Sequence, residues 1–103
     1  MNIHEYKIFL DVCNTKNFSE TARNNFITKS AIIQHINKLE QKLGIKLFER
    51  TSRGVNLTDA GKALQPLAKG IIEKESEIIK TMHDYSHTLT IGTIYLEKPI
   101  LIN

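Results

Sequence analysis

The sequence lacks most of the features on which enzymes and disulfide-stapled domains depend. It has 103 residues, with no tryptophan, two prolines and one cysteine. A lone cysteine excludes an internal disulfide, and we expect Cys13 to be an inert, packed thiol because it falls on the apolar side of a predicted helix. There is no glycine-rich phosphate loop and no Ser/His/Asp or Cys/His arrangement. His83 and His87 lie one helical turn apart but have no third strong ligand. We therefore expect no enzyme, no metal and no cofactor.

Long hydrophobic runs are also missing. No apolar stretch is long enough to cross a bilayer, and the N-terminus lacks a basic start followed by an apolar segment. We therefore expect a cytoplasmic protein without membrane contact. The net charge is only +3, but residues 1–58 carry nine Lys/Arg against five Asp/Glu, and residues 59–103 carry five against six. A basic front is expected of a phosphate-binding surface, although solvated helical domains share it.

Apolar periodicity in the first 25 residues predicts two helices. Tyr6, Phe9, Leu10 and Cys13 recur at three- and four-residue steps, which predicts a helix over about residues 3–14 with Asn2 as its cap. Ser19 is suited to cap a short second helix that runs through Arg23. Asn24 and Asn25 favour a turn after it, because their side chains hydrogen-bond nearby backbone groups. We expect Phe26 and Ile27 to anchor that turn in the core.

A third helix is predicted from its cap at Thr28 to a terminating Gly44. Its inward face is Ile32, Ile36, Leu39 and Leu43. Its outward face holds short polar and basic side chains, which suit contacts with base edges and phosphates in a DNA major groove. The expected DNA contacts are Thr28, Lys29, Ser30, Ile33, Gln34, Asn37 and Lys38. A solvated helix face gives the same pattern, so both interpretations stay open at this point.

A small β-hairpin with a basic tip is predicted after the third helix. Leu47–Arg50 and Val55–Leu57 are short β-like runs on either side of residues 51–54. Arg50 and Arg53 are placed to straddle a DNA backbone or enter the minor groove. Two loop arginines by themselves are usually solvated, but directly after a helix-turn-helix they form a wing.

One long helix follows, capped by Thr58, with Pro66 inside it. Its apolar seam has no second helix to cover it, which favours a homodimer through residues 59–87. The expected dimer contacts are Leu64, Leu67, Ile71, Ile78, Met82 and Tyr85. The run 89–96 is predicted to be a strand, and a lone strand is not stable without a partner.

At the level of motifs, the chain resembles the N-terminal domain of LysR-type transcriptional regulators from Asn2 to about Leu67. The motifs that carry the resemblance are Phe18-Ser19 with Ala22, Ile27-Thr28, the spacing of Ala31, Ile36, Leu39-Glu40 and Leu43-Gly44, Leu47-Phe48-Glu49-Arg50, and Leu57-Thr58-Asp59-Ala60-Gly61. The resemblance implies a winged helix-turn-helix, a dimerising linker helix and a sensor domain for a small effector. It also implies that 89–96 is that sensor domain's first strand. The chain stops soon after it, so we expect no effector for this chain.

The sequence departs from the family at its expected DNA contacts. The family usually has glutamine, proline, serine and arginine where this chain has Lys29, Ser30, Ile33 and Gln34, so its base preference cannot be carried over. Asn25 replaces a usual leucine, which predicts looser packing of the second helix.

The sequence thus predicts a mainly α winged helix-turn-helix of three helices and a hairpin, followed by a long dimerising helix. The expected domains are 1–58 for DNA binding, 59–87 for the linker and 88–103 for a strand remnant. The leading hypothesis is a transcriptional regulator module that binds a partly palindromic DNA site as a dimer. The alternative is a sensor-less interaction protein that pairs with full-length relatives.

Overall fold

The computed structural model describes residues 3–93, with side chains as far as residue 86. It consists of α1 (Ile3–Thr15), α2 (Phe18–Asn25), α3 (Lys29–Leu43), strands β1 (Phe48–Thr51) and β2 (Gly54–Leu57), and α4 (Asp59–Thr93). The two strands form an antiparallel hairpin in which Phe48 faces Leu57 and Thr51 faces Gly54. The predicted winged helix-turn-helix with a long following helix is therefore confirmed, while the predicted cap at Asn2 lies outside the described residues.

The described residues divide into two compact units, with the division between Ile72 and Glu73. The core of the first unit is built on the predicted inward faces of α1 and α3. Its largest fully buried side chains are Phe9, Ile8, Ile32, Leu39, Leu47, Val12 and Thr21. Ala68 of α4 is also buried, and Ala60, Leu64, Ile71 and Ile72 pack against this core. The start of α4 thus belongs with the first unit, whereas the functional boundary at residue 58 stays a prediction.

Three caps define where the helices begin. Thr28 Oγ1 accepts a hydrogen bond from the Ala31 N–H at 3.1 Å, and Thr58 Oγ1 accepts one from the Gly61 N–H at 3.0 Å, as predicted. The predicted cap of α2 is wrong: Asn17 Oδ1, and not Ser19, caps the helix by accepting from the Glu20 N–H at 2.9 Å. The reason is that α2 begins at Phe18, one residue before Ser19.

The second unit corrects the prediction of a strand at 89–96. Helix α4 continues to Thr93, so residues 89–93 are helical, and residues 94–96 lie outside the described residues. A single strand without a neighbour leaves its backbone groups unpaired, whereas a helix satisfies them within the same segment. The polar residues His87 and Thr88 therefore do not end the helix.

Candidate nucleic-acid interface

The outward face of α3 presents nearly all of the predicted DNA contacts to solvent. Six of the seven predicted residues on this helix and its cap are exposed, namely Thr28, Lys29, Ser30, Gln34, Asn37 and Lys38. Ile33 differs, because it is half-buried and packs against the core. The exposed row combines two ammonium groups with hydroxyl and carboxamide groups, a set that can bind both phosphates and base edges.

The face of α3 opposite its exposed polar row is packed into the core. Ile32 and Leu39 are fully buried and Ile36 is nearly so. Gly44 ends the helix in a left-handed conformation (φ 74°), and its N–H donates to the Glu40 carbonyl. Leu43 does not complete the inward face as predicted. It is the last residue of the helix, and 38% of it is exposed.

The prediction that Phe26 and Ile27 anchor the turn before α3 in the core is wrong. Phe26 is 94% exposed and Ile27 is 37% exposed, so neither is a core anchor. Instead, Asn25 takes a partly buried position and is satisfied there, because its Nδ2 donates to Asp11 Oδ2 at 3.1 Å and to the Thr21 carbonyl at 2.8 Å. A polar residue in place of an apolar one is therefore compensated by a link from α2 to α1.

The wing is fixed to the helices by one buried carboxylate. Glu40 Oε2 accepts hydrogen bonds from the Leu47 N–H at 2.8 Å and the Phe48 N–H at 3.3 Å. Its other oxygen lies 3.5 Å from Lys46 Nζ. The N–H of Val55 also donates to the Lys16 carbonyl at 3.1 Å. The hairpin is thus attached both to α3 and to the turn between α1 and α2.

The two predicted wing arginines occupy different settings. Arg53 is exposed at the hairpin tip, where its N–H donates to Thr51 Oγ1 at 3.2 Å. The guanidinium carbon of Arg50 lies 5.2 Å from the centre of the buried Phe18 ring, which is within the range of a cation–π contact. Arg53 is therefore free to follow a DNA surface, whereas Arg50 is partly oriented by the body of the domain.

A cleft of about 390 Å³ brings residues of α3 and the wing together. Its lining includes Asn37, the cations Lys46 and Arg50, and the carboxylates Glu40 and Glu49. The charges of the lining are therefore mixed, and Lys46 Nζ lies 3.5 Å from a carboxylate oxygen of Glu40. Sequence reasoning missed Lys46, although its position just before the first strand placed it beside the wing.

Some of the predicted dimer contacts are partly buried in the chain itself, and the others are exposed. Leu64 and Ile71 are partly buried and pack against the core of the first unit. Leu67 is exposed in the first unit, and Ile78, Met82 and Tyr85 are exposed in the second, as is Ile79. The exposed apolar stripe of the second unit is defined here as Ile78, Ile79, Met82 and Tyr85.

Metal-ligating side chains, helix apolarity and the lone thiol can each be described within the part of the chain that the structure describes. Within it, no group of three or more His, Cys, Asp or Glu side chains is placed to hold a metal ion. None of its helices combines the length and apolarity needed to cross a membrane. Cys13 is buried, and desolvation raises the pKa of its thiol to about 11. Such a thiol is almost entirely protonated at neutral pH and is a poor nucleophile.

Comparison with known proteins agrees with this arrangement. Residues 3–62 match the family described as bacterial regulatory helix-turn-helix protein, lysR family. The chain is 38% identical over 78 residues to an uncharacterized HTH-type transcriptional regulator, YbhD of Escherichia coli, covering 76% of this chain and 25% of that protein. It is 34% identical over 97 residues to another such regulator, from the ibpB-leuC intergenic region of Azotobacter vinelandii, covering 90% of this chain and 67% of that protein.

Among solved structures, a crystal structure of a CbnR_DBD–DNA complex superimposes with a TM-score of 0.80 at 28% identity. The match covers 84% of this chain and 99% of that chain. The chain spans from a quarter to two thirds of the length of the two regulators above. The family match over more than half of the chain, together with the fold, shows that this protein belongs to the LysR family of bacterial helix-turn-helix regulators.

Proposed function

We propose that this chain binds double-stranded DNA sequence-specifically as part of a transcriptional regulator and is not an enzyme. Helix α3 lies in the major groove, where Ser30, Gln34 and Asn37 contact base edges. The observation that carries the proposal is the exposed polar and basic face of α3, whose opposite face is packed into the core through Ile32, Ile36 and Leu39. A rigid helix with hydrogen-bonding side chains near its N-terminal end is what recognition of base edges requires.

The remaining contacts go to the DNA backbone. Lys29 and Lys38 contact phosphates beside the groove, and Arg53 follows the backbone or the minor groove from the wing tip. Arg50, which lines the cleft between α3 and the wing, contacts a further backbone phosphate. These contacts set affinity and orientation, whereas the base edges at α3 set sequence preference.

The functional form is a homodimer paired through residues 59–87. The support is the exposed apolar stripe, which no described residue of the chain covers. Two copies of α3 then bind two half-sites of a partly palindromic sequence. Pairing with a longer relative uses the same stripe and is the second candidate; mixing the two proteins and measuring heterodimers by native mass spectrometry distinguishes it. Such a regulator acts where the chromosome is, in the cytoplasm.

The first experiment is selection of binding sites from a random duplex library, followed by anisotropy titrations at several salt concentrations. Four basic contacts per subunit give about eight phosphates per dimer, and a slope of log K against log[salt] of about −7. We expect one enriched, partly palindromic sequence. If no sequence is enriched at low salt, the proposed function is wrong.

Two substitutions separate the two kinds of contact. Gln34→Ala should change which base is preferred at one position of each half-site, by a factor of about 5 to 100. Arg53→Ala should weaken all duplexes alike and make the salt slope less steep by about two, one contact per subunit. Lys69→Ala removes an exposed charge from α4 and is the control for net charge. The opposite pattern for Gln34 and Arg53 would contradict this assignment of contacts.

A further inference from the structure

Phe26 combines two features that disfavour a phenylalanine. Its side chain is 94% exposed, the most exposed of the large hydrophobic residues that the structure describes. Its backbone is left-handed, with φ 57° and ψ 37°, a conformation that bulky residues rarely adopt. Glycine or asparagine would suit this position better on both counts. The fold therefore gains nothing evident from the ring, which is available for an intermolecular contact.

The backbone at Phe26 is nevertheless held firmly. Its N–H donates to the Arg23 carbonyl at 3.2 Å, and the Ile27 N–H donates to the Ala22 carbonyl at 3.1 Å. These two bonds form the double closure that ends many helices. The ring is consequently presented from a fixed backbone, which lowers the entropy lost when it makes an intermolecular contact.

The position of Phe26 indicates what it contacts. It precedes the cap Thr28 by two residues, and every residue from Phe26 to Ser30 is exposed. Since consecutive Cα atoms are about 3.8 Å apart, its Cα lies at most about 11 Å from that of Lys29, comparable with the roughly 12 Å width of the major groove. The exposed Arg23 lies one helical turn before it. Phe26 is thus next to the N-terminal end of α3, with the exposed cations Arg23 and Lys29 each three residues away along the chain.

We propose that Phe26 contacts the 5-methyl group of a thymine at the edge of the major-groove site and so helps to determine sequence preference. The thymine methyl is the apolar group that the major groove exposes, and phenylalanine is one of the side chains that packs on it. The inference rests on the DNA-binding function proposed above and adds a contact outside the polar face of α3.

The test removes one methyl group at a time. In the duplex selected from the random library, each thymine is replaced singly by deoxyuridine, and dissociation constants are measured for the unaltered chain and for Phe26→Ala. We expect the unaltered chain to lose about fourfold in affinity at one thymine per half-site, the factor for one buried methyl-sized group. Phe26→Ala should be insensitive at that thymine and already weaker on the unmodified duplex.

Two further variants separate this role from a structural one. Ile45→Ala removes a 53% exposed apolar side chain just beyond the far end of α3 and should keep the uridine effect. Phe26→Asn fits the left-handed backbone, so it should raise Tm by a few degrees while losing the thymine preference. Gain of thermal stability together with loss of that preference is not expected of a structural residue.

The alternatives give different results. Equal weakening of every duplex by Phe26→Ala, without any uridine effect, places the ring on the sugar–phosphate backbone and overturns the proposal. No effect of either change also overturns it and points to a protein partner for the ring. Both results leave the DNA-binding function intact, whereas a library that yields no enriched sequence removes both proposals together.

Discussion

The two compact units differ in how far their large apolar side chains are buried. In residues 1–72, α1, α3 and the start of β1 place most of their large aliphatic and aromatic groups in one core, although Leu43 and, elsewhere in the unit, Phe26 and Leu67 are exposed. In residues 73–86, the large apolar side chains Ile78, Ile79, Met82 and Tyr85 are all more than half exposed. The first unit therefore buries most of its apolar surface within itself. The helix of the second unit gains little stability from helix propensity alone, so it depends on packing against a partner.

The largest expected effect is the loss of stability when a side chain in the core of the first unit is truncated. Ile32→Ala removes a fully buried side chain on the face of α3 opposite its exposed polar row and should lower the free energy of unfolding by about 2–5 kcal/mol. Urea unfolding should show this loss at every protein concentration. Ile78→Ala, from the exposed stripe, should cost less, and its cost should depend on concentration because it acts through the dimer. Equal, concentration-independent losses would contradict the contrast between the units.

The second prediction tests the stripe directly. Replacing Ile78 and Met82 together by aspartate buries two charges in the proposed dimer contact, so the dimer dissociation constant should rise at least about thirtyfold. Sedimentation equilibrium measures this dissociation constant. The circular dichroism of the whole chain should still be that of a folded helical protein, because the first unit has its own core. The control is Lys80→Glu, which changes the net charge by the same two units at an exposed position on the opposite face of α4. A dimer that survives the double change pairs through another surface.

A pair of glycines in α4 offers a matched comparison within the first unit. A Cβ at Gly61 would overlap the Leu47 carbonyl oxygen and lie 2.6 Å from Leu57 Cδ2, so Gly61→Ala should cost about 1–3 kcal/mol. A Cβ at Gly70 would meet nothing within 4 Å, and Gly70→Ala should add about 0.5–1 kcal/mol by restricting the unfolded chain. Thermal unfolding measures both. The same sign for both substitutions would contradict the close approach of α4 to the wing.

The smallest expected effect concerns Cys13. Burial raises the pKa of its thiol from 9.0 to about 11, so the unfolded chain loses this proton at a lower pH than the folded chain. The stability that depends on the neutral thiol is complete below pH 9.0 and is lost as the pH rises toward about 11. Urea unfolding of the natural chain and Cys13→Ala on either side of pH 9.0 should show the difference between them shrinking in alkali. A constant difference would indicate that the thiol is accessible when folded.

The features that could be predicted from the sequence are those that depend on neighbouring residues. Thr28 and Gly44 bound α3 because their local geometry suits helix ends, and the spacing of Ile32, Ile36 and Leu39 defines its buried face. Phe26 could not be placed in this way. Its hydrophobicity suggested burial, whereas the left-handed helix end turns the residue outward.

Contacts between residues that are distant in the chain could not be predicted from the sequence either. The carboxamide of Asn25 is satisfied by Asp11, fourteen residues away, and nothing near Asn25 indicates that partner. The run 89–96 is rich in β-branched residues, as strands are, but strand formation requires a neighbour that local composition cannot reveal. For the proposed DNA-facing surface, the exposed polar row of α3 could be predicted, while the shared cleft of Asn37 and Arg50 depends on the hairpin's attachment to α3.

The hydrogen bond from Val55 to Lys16 restricts how this domain can vary in length during evolution. The turn between α1 and α2 is tied by Thr15 Oγ1, which accepts from the Asn17 N–H at 3.1 Å, and its Lys16 carbonyl also holds β2. An inserted residue there would displace both α2 and the wing. At the exposed tip formed by Ser52 and Arg53, by contrast, an insertion disturbs no contact with the helices. Length variation among viable sequences is therefore expected at the tip of the wing and not at its point of attachment.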